Sequence, residues 1–307
     1  MIHSLTVTNY LGDSLTLKLT EIDPENGIYI KEIKGLGPVK ADINTTKLAT
    51  SDGTVFNSSR LNQRNIVITL GYTLDQLYDI ETTRQLTYKF FPIKRQVTLI
   101  FETDNRIVQC TGNVETNEPD IFSREETAKI SIICSDPNFY SSGKDGTIIT
   151  TFFGIEPRFM FPFSNPVNEA TLMFGSIENK TENTIMYNGD ADVGLIIRMH
   201  ALGDVGNVAI YNTGTRELMY FDMEERLVEL TGSGFSTGDT IIVSTLRSNK
   251  SVQLLRAGSY TNVLNILDKD SNWFKLVKGE NTFAFTANYG ERYLEFRIES
   301  KVVFDGV

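Results

Sequence analysis

An alternation of apolar and polar side chains at every second residue, repeated in short runs from end to end, most constrains what this chain can fold into. Leu5-Thr6-Val7-Thr8 and Leu15-Thr16-Leu17-Lys18-Leu19 each place their apolar side chains on one face of an extended backbone. Gly12-Asp13 supplies turn chemistry between them, so the chain opens as a hairpin. The runs Ile28 to Ile33, Asn65 to Leu70, Gln96 to Phe101, Ile107 to Thr111 and Lys129 to Ile133 share the period and are rich in β-branched residues. One segment breaks the pattern. Residues 79–91 begin with the N-cap candidate Asp79, carry Glu81 early and Lys89 late, and meet Pro92 just beyond, which predicts a single helix.

The strand pattern predicts a mainly β protein of two parts. Residues 1–142 read as a first domain, a β-sandwich or split barrel with one helix. Within it residues 35–62, from Gly35-Leu36-Gly37-Pro38 to Asn62, form a long polar excursion with only scattered apolar side chains. Such a stretch suits an arm better than a packed core. Its apolar residues Leu36, Val39, Ile43, Leu48 and Phe56, with Arg60 and Arg64 as polar anchors, are the candidates for contact with a neighbouring subunit. Packing within their own subunit is the competing reading. The polar punctuation Ser141 to Gly146 opens an extended connector, residues 143–176, rich in aromatics at Phe152, Phe153, Phe159, Phe161 and Phe163, with Pro162 and Pro166 opposing helix. From 177 to 307, short strands alternate with Gly, Asn and Asp turns, which indicates a sandwich or jelly roll.

Charge and cysteine content narrow the function. A formal net charge of -10 argues against primary nucleic-acid binding, whose affinity comes from Lys and Arg releasing counterions from phosphate. Cys110 and Cys134 are not in a Cys-x-x-Cys pair and read as two free core thiols rather than a disulfide. No run approaches the roughly 18 apolar residues of a membrane span, and Met1 to Tyr10 lacks the features of a signal peptide, so a soluble, cytoplasmically made product is expected.

No catalytic or metal site emerges, and no cofactor is expected. His3 and His200 are the only histidines, and His200 reads as a strand-end residue. The sequence has no His-Glu-x-x-His or Walker pattern. Asp222 and Glu224 would share a strand face, but the Glu that a glucanase-like pattern needs is replaced by Tyr220, leaving these acids as a solvated turn. Asp190 and Asp192 lack the spaced ligands and closing Glu of a calcium loop. The Gly-rich run Thr231 to Asp239 is expected between two strands, where a phosphate cradle would need a helix after it. Trp273 reads as a packed core residue, with stacking on a pyranose ring as the alternative.

Several runs resemble the distal tail proteins of long-tailed phages and related prophage tails. In the first half these are Gly35 to Pro38, Arg60 to Ile68, Phe91 to Val97, Asn117 to Ser123 and Ile130 to Phe139. The second half, through Asn188 to Gly194, Ser271 to Leu276 and Gly279 to Asn281, is similar to that family's galectin-like β-sandwich. The His, Asn and Arg constellation that surrounds a galectin's Trp is not found. The resemblance implies a virion structural protein at the tail tip or baseplate, assembled in the host cytoplasm. It implies a homohexameric ring that joins the tail tube protein to the tail hub or tail-associated protein and to receptor-binding or fibre proteins. DNA would pass through the channel without specific binding, no membrane would be involved, and an acidic lining would repel phosphate during ejection. Carbohydrate recognition at the host surface is the alternative function.

Overall fold

The structure, a computed structural model, describes residues 1–49, 52–73, 79–122, 125–143, 146–157 and 175–307, with backbone alone for 153–157 and 175–179. The chain divides into two compact units, Met1–Gly146 with Val303–Val307, and Thr147–Val302. Both are mainly β.

The first unit runs through β1 (Ile2–Thr8), β2 (Ser14–Lys18), β3 (Ile28–Lys34), the hairpin β4 (Ala41–Lys47) and β5 (Thr54–Leu61), then β6 (Arg64–Tyr72), α1 (Ile80–Phe90), β7 (Gln96–Thr103), β8 (Ile107–Asp120), β9 (Thr127–Cys134) and β10 (Phe139–Ser141). Its main sheet has the order β2-β1-β7-β8-β9-β6-β3, and the pairings along this path are antiparallel. The alternation seen in the sequence sorts side chains as the pleat requires: Leu5, Val7, Leu99, Phe101, Ile66, Ile68, Ile130 and Ile132 are fully buried in one cluster. Burying each such side chain contributes about 1.5–3 kcal/mol. Helix α1 begins where expected, because the Asp79 carboxylate accepts hydrogen bonds from the amides of Glu81 and Thr82. The Thr82 hydroxyl, 2.6 Å away, holds the Asp79 carboxyl below its ordinary pKa.

In the second unit, the strands are β11 (Thr147–Thr151), β12 (Phe153–Pro157), β13 (Gly175–Asn179), β14 (Glu182–Tyr187), β15 (Val193–Gly194), β16 (Ile196–Ala201), β17 (Val208–Asn212) and β18 (Glu217–Phe221). A short helix α2 (Arg226–Thr231) intervenes before β19 (Thr240–Leu246), β20 (Asn249–Arg256), β21 (Ser259–Asn262), β22 (Lys275–Leu276), β23 (Gly279–Ala287) and β24 (Leu294–Lys301). A six-stranded sheet, β11-β24-β16-β19-β20-β21, and a four-stranded sheet, β14-β23-β17-β18, meet through aromatic rings. Phe296 of the first stacks on Phe285 of the second with centroids 5.0 Å apart, and Phe152 stands edge-on to Phe296 at 4.7 Å.

Three details differ from the sequence reading. Residues 147–151, expected in the connector, pair as edge strand β11 against β24, and so belong to the second unit. The last residues return to the first unit, where the terminal strand Val303–Phe304 pairs with β10. No local pattern could show this pairing, since Phe139 and Phe304 lie far apart in sequence. Third, a helix rather than a strand precedes the Gly-rich run, α2 ending on Gly232 at φ +80°; its six residues are too few to display a 3.6-residue period. Phe159, Phe161, Pro162, Phe163 and Pro166, expected in the extended connector, lie outside the described residues. No helix among the described residues is long and apolar enough to cross a membrane.

A candidate assembly surface on the β4–β5 arm

Among the described residues, strands β4 and β5 pair only with each other, as a separate two-stranded ribbon. None of their residues is buried. Isolated ribbons are marginal in water, and this one is held by polar links: Asn57 Nδ2 donates to Thr46 Oγ1 at 2.7 Å, Asn62 Nδ2 to Asp42 Oδ1 at 2.9 Å, and Arg60 lies 3.6 Å from Asp42.

Register decides which side chains share a face. Ala41 is opposite Leu61, Ile43 opposite Ser59 and Thr45 opposite Phe56, with a shift between Asn44 and Thr45 that leaves Asn57 as the extra residue. Without that bulge Phe56 would turn to the other side; with it, Leu61, Ile43 and Phe56 line one face. The opposite face carries Asp42, Arg60, Asn44, Ser58, Thr46 and Val55. The ribbon is therefore amphipathic yet exposed on both sides. Ile43 is 65% exposed and Phe56 60%, and Leu48, just beyond β4, is also exposed.

Expected arm residues at the root behave differently. Leu36 packs partly against the core of the first unit, and Val39 is half-buried. Arg64, expected as a polar contact, is instead 2% exposed, which removes it from the docking candidates. Its guanidinium donates to the carbonyls of Pro137, Gly35 and Gly37 at 2.6 Å each and to that of Asp305 at 2.7 Å, and lies 4.2 Å from the Phe139 ring centroid. A planar fork with five donors is suited to this work; four converging carbonyls surround a cation that burial alone would make costly. Arg64 thus ties the arm's root, β10 and the C-terminal residues into one knot. Nearby, Cys110 and Cys134 are free and buried, and the hydrogen bond between the thiols, together with burial, raises the pKa of Cys110.

The chemistry-bearing residues of the second unit are tied into the fold or open to solvent. His200 sits on β16 with Nδ1 2.9 Å from Thr240 Oγ1. Asp222 Oδ1 accepts from the amides of Glu225 and Arg226, an arrangement that starts α2. Arg256 clamps the Gly-rich run, reaching Asp239 at 2.8 and 2.6 Å, Ser233 Oγ and the Gly234 carbonyl at 2.6 Å. Burial pushes the Asp239 carboxyl upward, but the hydrogen bonds and charge of Arg256, together with the hydrogen bonds from Ser236, hold the pKa below the ordinary value. No group of His, Cys, Asp or Glu able to hold a metal occurs among the described residues. Trp273, expected in the core, is half-buried, while its neighbour Phe274 is fully buried.

Two family models match this sequence. The phage tail protein RIFT-related domain covers residues 16–134, inside the first unit, and the siphovirus-type tail component C-terminal domain covers residues 188–297, inside the second. The fold and these two matches define a structural component of a phage tail. More narrowly, the chain belongs to the siphophage distal tail protein family. Among solved structures it is similar to SPP1 Dit (gp 19.1), described as a paradigm of the hub adsorption apparatus in Gram-positive infecting phages. The two are 12% identical with a TM-score of 0.63, over 97% of this chain and 98% of that one. The baseplate of phage P2 in its activated conformation with Ca is 12% identical with a TM-score of 0.48, over 100% of both chains. No curated protein matches the sequence.

Proposed function

We propose that this protein is a non-enzymatic ring subunit of the tail tip, six copies joining the tail tube protein to the tail hub and to fibre or receptor-binding proteins. The observation that carries the reading is the apolar stripe of Ile43, Phe56 and Leu61 on a ribbon whose strands, among the described residues, pair only with each other and bury none of their side chains. Apolar side chains held out in water on an ordered ribbon fit a surface that a partner covers. A second copy of this chain is the occupant that the ring requires: closed cyclic assemblies above dimers use head-to-tail contacts, in which an element projecting from one subunit meets a different surface of the next. The excess of carboxylates in the chain, a net charge of -10, suits a channel wall that repels DNA phosphate in transit.

Mass photometry of the full chain tests this. A species of six times 34.5 kDa is expected, collapsing toward monomer in the double variant Ile43→Ser, Phe56→Ser while circular dichroism stays unchanged. A wild-type protein that remains monomeric and does not join tail tubes overturns it. Recognition of host carbohydrate by the second unit is a second reading, favoured by a single observation: Trp273 lines an open groove.

A further inference from the structure

That groove has a volume of about 750 Å³, within the range of small-ligand sites, and lies in the second unit between α2, the turn Leu264–Ile266 and the segment leading to Trp273. We propose that it binds a neutral oligosaccharide, an inference that rests on the carbohydrate reading and is independent of the ring.

The walls are built before any ligand arrives. Leu267 bridges to Phe221, the Asp268 amide donates to the Tyr220 carbonyl at 2.9 Å, and the Asn272 amide donates to that of Leu218 at 2.8 Å. Ser271 Oγ accepts from the Tyr220 amide at 3.0 Å. These bonds stitch residues 267–272 to strand β18. Beyond them Phe274 and Leu276 are fully buried, whereas Trp273 is half-buried and lines the groove. Asn262 Oδ1 caps the Leu264 amide, and buried Val263 and Ile266 anchor the turn between. A site whose backbone is fixed this way loses little entropy on binding.

The lining matches the two faces of a sugar ring. A pyranose presents apolar C–H patches beside hydroxyls that both donate and accept. Trp273, Leu230 and Leu264 offer apolar surface; Asp268 accepts, and Arg226 and Asn265 donate. Arg226 has capacity to spare. Its contacts to the Asn265 carbonyl, Asp222 and Asp268 run from 3.4 to 3.9 Å, whereas Arg256 in the same unit reaches Asp239 and the Gly234 carbonyl at 2.6 to 2.8 Å. Charge argues for a neutral ligand: Arg226 and Lys269 are balanced in the lining by Glu229 and Asp268, giving neither a polyanion nor a polycation a net attraction. Lys250 Nζ lies 5.3 Å from the centroid of the Trp273 ring, the kind of contact that a stacked sugar would replace.

Trp273 is the only tryptophan in the chain, so its fluorescence reports on this groove alone. Full-length protein is titrated with cellotetraose, maltotetraose and chitotetraose as neutral probes, and with dextran sulfate as the anionic one. A saturable emission change with a neutral probe is expected. Asp268→Asn, which keeps the carbonyl oxygen that accepts from the Asp270 amide, and Arg226→Gln should each weaken binding by about tenfold or more, with unfolding curves unchanged. Calorimetry should show the same loss for Trp273→Ala. Neutral-probe binding that all three variants retain would place a carbohydrate site elsewhere and sink this groove alone. No binding to any neutral probe, or a response to dextran sulfate only, overturns both the groove and the carbohydrate reading.

Discussion

Strands β5 and β6 are separated by two residues, yet they meet opposite fates. In β6, every second side chain from Arg64 to Tyr72 is buried, with Ile66, Ile68 and Leu70 fully so. In β5, all eight residues are exposed, Val55, Phe56 and Leu61 among them. Period-two patterning therefore reports which side chains share a face and not whether that face is covered by its own chain. The difference is set at the junction, where Arg64 anchors the start of β6 by gathering four carbonyls, and β5 stops short of that knot.

The largest way to break this contrast is to untie the knot. Arg64→Met keeps a long apolar stem but removes all the donors, leaving four carbonyls and the Phe139 face without their cation. A loss of about 3–5 kcal/mol is expected for the first unit, since each bond to a charged group contributes roughly 1.5–3 kcal/mol and they are not additive. Urea unfolding should show it. Arg64→Lys should recover little, because an ammonium on a flexible stem cannot span carbonyls spread around a planar fork. A variant within 1 kcal/mol of wild type, an order-of-magnitude threshold, would mean that the knot does not hold the arm's root.

The Gly-rich run Thr231 to Asp239 sharpens the contrast from the other side, because it reads as an open loop and is in fact closed down by Arg256. Asp239→Asn should cost roughly 1.5–3 kcal/mol at neutral pH. The folded-state pKa of Asp239 is depressed, so its contribution is fully present above the ordinary value of 3.8 and fades as pH falls through the lower folded value. The gap in melting temperature between wild type and Asp239→Asn should accordingly close on acidification below that point. A gap that stays constant as the pH falls from neutrality to well below 3.8 would assign the effect to packing rather than charge.

How much of this was legible follows from the range of the forces involved. Helix α1 was readable because its signals are local: Asp79 caps amides two and three residues on, and Pro92 follows the last turn. The strands were readable for the same reason. Arg64 was misread because its partners are remote, Pro137 lying 73 residues away and Asp305 lying 241. Remote pairing likewise hid the return of Val303–Phe304 to the first unit. Trp273 reads as a core residue from the general habits of tryptophan; in the structure it is half-buried, beside the fully buried Phe274. The arm was legible as an excursion, but its amphipathic face depends on a bulge at Asn57 that no composition reveals.

The smallest expected effect on folding separates the two strands most cleanly. Ile68 lies on β6 with no exposed surface, and Ile43 lies on the arm, 65% exposed. Truncating a buried Ile to Ala removes transfer energy and leaves a cavity, about 2–5 kcal/mol, whereas at an exposed site the change should fall within about 0.5 kcal/mol. Ile68→Ala should therefore shift the urea midpoint strongly and Ile43→Ala hardly at all, provided both are measured at a concentration low enough to keep the chain monomeric. At assembly concentrations the ranking should change, because a subunit contact that buries Ile43 links its side chain to stability through mass action. If Ile43→Ala stays silent at every concentration while the wild-type midpoint rises with concentration, the arm's apolar face is not where the subunits meet.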